Sequence, residues 1–324
     1  MRATEASAQV ARSRGGRILS LGVLGLLGSL ALVGCGLGAG PTPGAVQLTV
    51  TRGFGESELG LPGPLKVSGQ ETVMSLLMRN YTVATRFGGG FVQSINGLAG
   101  GTEGGEPVDW FYYVNGVQAG QGAAATDVHP GDHIWWDLHD WSQTQDVPAV
   151  VGSFPQPFLD GLEGKRLPVR VECAAVQSAA CTEVSSRLQG LGIPAAVAEV
   201  GPSEDPEQLR VVVGPWSKLR LSLPAEMVEQ GPRSSGVYAR FTAGGSSLIL
   251  FGQDGRTVST LGAGAGLIAA TRHGEDDPVW FVAGTDEAGT ALAARDFTQA
   301  DLRNRFALAL APGRVIPLPE TASG

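Results

Sequence analysis

Lysine is almost missing from this chain. Only Lys66, Lys165 and Lys218 stand among its 23 basic residues, and 31 Asp and Glu outnumber them for a net charge of −8. Phosphate backbones need clustered Lys and Arg, so a nucleic-acid partner is excluded. Cysteine is scarce at three and histidine at four, with no CxxC pair and no set of four Cys/His positions at zinc spacing. No G-x-S-x-G elbow occurs, and the only histidine beyond residue 165, His273, lies in the polar string RHGEDD. No reactive pair for an enzyme is therefore visible. Beyond the N-terminal region no apolar run reaches the ~20 residues of a spanning helix.

What is there begins at the N-terminus. Arg2, Arg12, Arg14 and Arg17 precede an apolar run over residues 18–33, and Leu32-Val33-Gly34-Cys35 follows. Basic segment, short apolar segment and small-residue site are the parts of a secretory signal. The Leu-x-Gly-Cys ending resembles the lipobox of bacterial lipoproteins. That resemblance implies cleavage after Gly34, diacylglycerol on the Cys35 thiol, and residence on the outer, extracytoplasmic face of the cell membrane. Loss of the leader's four Arg and one Glu takes the mature net charge to about −11. Residues 36–44, GLGAGPTPG, read as a flexible tether. With Cys35 lipidated, Cys173 and Cys181 remain as an even pair. Outside the cytoplasm they form a disulfide worth ~2 kcal/mol; the other reading is two buried thiols.

The fold expected is α+β in two domains. Residues 45–145 read as a β-grasp-like domain with one helix on a mixed sheet. In it, residues 46–51 alternate as a strand, a Ser68…Glu71 capping box starts a helix over 70–81, and strands follow at 90–95, 108–114 and 133–141. Asn96-Gly97, Asn115-Gly116 and Pro130-Gly131-Asp132 mark turns. Residues 146–165 are a Pro/Gly linker, with Val150, Val151, Phe154 and Phe158 available to dock. Residues 166–318 make an α/β or α+β domain, including a strand-to-helix turn at 262–266 and a last helix over 299–308. Residues 319–324 are a tail.

The strings VDWFYYVNG at 108–116 and DVHPGDHIWW at 127–136 resemble the paired signature of the transcobalamin C-terminal-like domain, a soluble-ligand-binding β-grasp group. The resemblance covers residues 45–145 and implies cobalamin or a related corrinoid as the ligand. Animal relatives close this domain over cobalamin held by a helical barrel, and no barrel is encoded here. LRVVVGPW at 209–216 resembles one strand of a peptidoglycan-binding sporulation-related repeat.

The richest chemistry lies in HIWWDLHDW at 133–141. On a strand, Ile134, Trp136 and Leu138 face the helix, while His133, Trp135, Asp137, His139 and Trp141 face away. Two readings of that second face stand. Trp135, Asp137, His139 and Trp141 form a platform for a flat ligand, or the second domain covers them. His133 and His139 are ~20 Å apart along a strand, too far to share one metal ion. Asp276-Asp277 reads as a solvated charged loop, and Gly262–Gly266 lacks the third glycine of a dinucleotide site. The expected function is a lipid-anchored protein that binds a soluble ligand, with transporter components as expected partners in corrinoid uptake. The alternative is a structural or adhesive module that holds a protein or cell-wall polymer.

Overall fold

Thr72 starts the helix of the first half by closing on itself: its Oγ1 accepts the Ser75 N–H at 3.2 Å, and Ser75 Oγ accepts the Thr72 N–H at 2.9 Å. In the computed structural model, which describes residues 44–60, 63–67, 69–201 and 207–321, the helix runs Val73–Asn80. Ser68 of the expected capping box, the leader, Cys35 and the tether up to residue 43 lie outside the described residues. Val73, Met74, Leu76 and Leu77 are buried and Met78 is exposed.

The helix packs on a mixed sheet. Its two central strands, Ala45–Arg52 and His133–Asp140, run parallel, with Thr49 beside Trp135 and Thr51 beside Asp137. Glu106–Val114 pairs antiparallel on the other side of His133–Asp140, and short strands complete seven. First and last strands side by side under one helix are the expected β-grasp arrangement. Asn96-Gly97 and Asn115-Gly116 all take positive φ, from 50° to 83°, as tight hairpins require. The strand over 90–95 pairs away from this sheet, in a three-stranded sheet of its own.

The second half is built on another seven-stranded sheet. Ala195–Glu199, Val169–Cys173, Leu209–Pro215 and Val279–Gly284 run parallel, and Gly266–Thr271, Ala307–Ala311 and Arg314–Leu318 extend it antiparallel. Helices Ala179–Gly190 and Glu287–Arg295 cover one face. The meander Ala239–Phe241, Leu248–Phe251, Thr257–Leu261 and short helices between 216 and 235 cover the other. Two expectations are corrected here. Gly262–Gly266 leads into a strand, because 267–270 is buried on both faces between two strands. The last helix stops at Leu302, and 307–311 pairs as a strand. Cys173 and Cys181 are bonded, joining a strand end to the first turn of the helix that follows.

The halves are not separate bodies. The described residues form one compact unit, and one core cluster contains Phe54, Tyr113, Trp135, Val147 and Val150 together with Tyr238, Phe281 and Phe306. The linker is therefore core: Val147, Val150, Val151, Phe154 and Phe158 are all buried. Gly152 is a contact point, where a Cβ would stand 2.6 Å from Trp135 Cζ3 and 2.7 Å from Arg305 N. We expect Gly152→Ala to lower stability by about 1–3 kcal/mol in urea denaturation, through overpacking. The near-ultraviolet signals of both halves should be lost in one transition; two resolved transitions would contradict a shared core.

Candidate functional site

The strand His133–Asp140 alternates as its sequence requires. Ile134, Trp136 and Leu138 join the helix-side core, and Trp136 stacks on Tyr112 at 4.8 Å. Its second face is closed, so the ligand platform is corrected for three of its four residues. Trp135 and Asp137 are 0 % exposed and His139 is 3 % exposed. Phe306, from just before the strand Ala307–Ala311, lies edge-on to Trp135 at 5.1 Å, Tyr113 at 5.6 Å and His139 at 5.3 Å. Trp141 lies just past the strand end, half-buried, donating from Nε1 to Asp109 Oδ2 at 3.2 Å.

Within that face a carboxylate is fully enclosed. Asp137 Oδ1 accepts the Phe54 N–H at 3.0 Å and contacts His139 Nδ1 at 2.9 Å. Its Oδ2 accepts the Gly55 N–H at 2.9 Å and the Thr51 hydroxyl at 2.5 Å. The His139 ring is sandwiched between Phe54 and Phe111, with centroids 4.7 and 4.5 Å away. Four partners satisfy the buried charge, so this cluster is a fastening with no room for a ligand. Burial also pushes the Tyr113 phenol far above its ordinary range.

The polar residues of the two signature strings fasten a loop. Asn115 Nδ2 donates to Asp132 Oδ1 and to the linker carbonyl of Gly161, both at 2.8 Å, and Asn115 Oδ1 accepts the His133 N–H at 2.8 Å. Asp132 Oδ2 accepts the His129 N–H at 2.7 Å. Burial raises the Asp132 carboxyl, although the His129 N–H and Asn115 hold it down in part.

An open cleft lies beside this loop. It has a volume of about 500 Å³ and is walled by residues 117–121 and 125–129 of the first half, the linker at 162–167, and Glu207 with 272–277 of the second. Val114, Val117, Leu162 and Leu167 supply apolar lining. Arg272 spans the cleft, with Nη2 donating to the Gln118 carbonyl at 3.3 Å and Nη1 3.7 Å from Glu275. Of the lining residues only Asp276-Asp277 stood out in the sequence, as a solvated charged loop, and neither was assigned to a site. The cleft joins five separated segments, for which no local pattern exists. The three histidines His129, His133 and His139 do not converge, and among the described residues no group of three His, Cys, Asp or Glu is placed to hold a metal ion.

His133 provides a pH test. Its Nε2 contacts Thr49 Oγ1 at 2.9 Å, and burial, aided by Arg303, lowers its pKa to about 4 against a contact from Ser153 that raises it. The native state thus holds neutral imidazole. The stability contribution is complete above the unfolded value near 6.5 and is lost as pH falls from there through about 4. Asp132 and Asp109 are raised carboxyls and act in the opposite sense on acidification. Comparison with His133→Gln therefore isolates the imidazole. The variant's melting temperature should fall less than the parent's between pH 6.5 and 4, and parallel curves would refute the assignment.

Comparison with known proteins gives a local match. A family model described as a domain of unknown function, DUF4430, matches residues 70–140. A solved structure from Ruminococcus gnavus, called a "putative metal binding protein", aligns at 16% identity over 30% of this chain and 96% of its own, with a TM-score of 0.25. A likeness that low carries no conclusion about this chain. Nothing among the curated proteins matches it. The region from the N-capping helix to the end of the strand His133–Asp140 is thus similar to the DUF4430 family.

Proposed function

We propose that this protein is a lipid-anchored, extracytoplasmic binding protein that holds a small soluble ligand in the cleft between its two halves. The observation that carries the proposal is the cleft itself. About 500 Å³ falls within the size of small-molecule sites, and such sites favour junctions between structural units. The tryptophan face is closed, whereas the cleft is open and concave with polar groups from both halves.

The first strand is tied to one wall of the cleft. The carbonyl of Ala45 accepts the Gly131 N–H at 2.8 Å, and Gln47 N–H donates to the Asp132 carbonyl at 2.8 Å. Gly131 and Asp132 belong to the loop that carries His129 to the cleft wall.

A corrinoid is the finer reading, and it rests on the resemblance of 108–136 to the transcobalamin C-terminal-like domain. The cleft has no tryptophan on which the ring would stack, and His129 is the imidazole nearest to hand. Isothermal titration of the full chain in detergent with cyanocobalamin and cobinamide tests the identity. Gly120→Trp tests the place, since a Cβ at Gly120 meets only Glu275 Oε1, at 3.8 Å, and a large ring there fills the cleft without straining the backbone. We expect Gly120→Trp to abolish binding of any true ligand while leaving the melting temperature within a few degrees. Binding that survives the variant would move the site elsewhere, and absence of heat with both corrinoids would remove that ligand class.

A further inference from the structure

The sheet of the second half ends in two strands that are built differently. One edge, Arg314–Leu318, carries Arg314 and Pro317, a charge and a residue without an N–H. Both obstruct the addition of a further strand. The other edge, Ala195–Glu199, reads Ala-Ala-Val-Ala-Glu, with no proline, no register shift and a single charge at its end. Ala196 and Val197 are exposed, Val197 by 43 %.

The direction of its backbone groups follows from one hydrogen bond. The Val200 N–H donates to the Cys173 carbonyl at 3.1 Å, so Val200 turns inward to the strand Val169–Cys173. Backbone groups alternate sides along a strand, so Ala198 and Ala196 turn inward too. Ala195, Val197 and Glu199 turn theirs outward. Among the described residues none of these three makes a backbone hydrogen bond outside its own sheet. The described chain that follows lies inward of the edge, because Leu209 stands beside Val169 on the far side of that strand.

We propose that this edge joins two copies of the chain, as antiparallel neighbours about a two-fold axis at Val197. The outward groups set the register. Val197 faces its own copy, Ala195 faces Glu199, and Ala196 faces Ala198. All three outward residues then fall in hydrogen-bonded pairs that exchange two bonds each, about six in all. The triplet Ala196-Val197-Ala198 reads the same in both directions, so the side chains that face each other match in size. Glu199, the one charge, meets a neutral alanine and never its own kind. An interface of this form is self-complementary and closes at two subunits. It lies outside the cleft and is independent of what the cleft holds.

Sedimentation velocity of the full chain in density-matched detergent tests the proposal. An edge of five residues is a small interface, so a dimerisation midpoint of about 1–100 µM is expected. Val197→Lys sets like charges on the axis and should weaken the dimer at least ~5-fold. Val197→Pro removes an outward N–H and spares the inward bonds, so it should leave a folded monomer. Val197→Cys should cross-link to its own copy on mild oxidation, since facing Cα atoms in such a pair lie ~5.5 Å apart. Ala198→Cys, out of step with its copy by two residues, should not. A chain that stays monomeric throughout that range, a dimer indifferent to Val197→Lys, or cross-linking at 198 in preference to 197 would each overturn the proposal.

Discussion

The carboxylate of Asp137 is the interaction on which the rest depends. A charge with no solvent exposure is tolerable only when fully partnered, and two backbone N–H groups, the Thr51 hydroxyl and His139 partner it. Those backbone groups belong to Phe54 and Gly55, at the end of the first strand. Satisfying Asp137 therefore fixes the turn that sets Phe54 against Phe306 and Tyr238 of the second half. Gly55 makes the same point sterically, since a Cβ there would stand 2.0 Å from the Asn304 carbonyl. One buried acid orients the first sheet, closes its outer face and joins the halves.

A closed seam has a functional consequence. The same docking that hides Trp135 brings the 117–129 loops, the linker and the 272–277 loop to the rim of one cavity. The seam and the cleft are two parts of one junction, apolar and sealed in its middle, acidic and open at one side. Asn115 and Asp132 connect them, because they tie the hairpin, the His129 loop and the linker together. Their presence in the signature strings thus has a structural reason that requires no ligand.

Much of this was legible in the sequence where the signal is local. The alternation in 133–140 assigns every side chain to its face, and the Asn-Gly pairs place both hairpins. Short apolar runs are ambiguous. Leu267-Ile268-Ala269-Ala270 suits a buried strand or a helix, and only pairing with 279–284 and 307–311 decides. Residues 305–310 are rich in helix formers, yet sheet pairing overrides their propensity. The fate of the Trp135 face was undecidable locally, because Phe306 lies 171 positions away in the chain. The cleft is the extreme case, with walls from segments that share no motif.

The seam between the halves is closed, and native-state hydrogen exchange measures that directly. Amides of the strands at 133–140 and 307–311 should exchange only through global unfolding, with one common free energy and one denaturant dependence. If the 133–140 amides open by a separate, cheaper step while 307–311 stays protected, the halves part in the native state. The face of Trp135, Asp137 and His139 would then be accessible, and the cleft would lose its claim as the binding site.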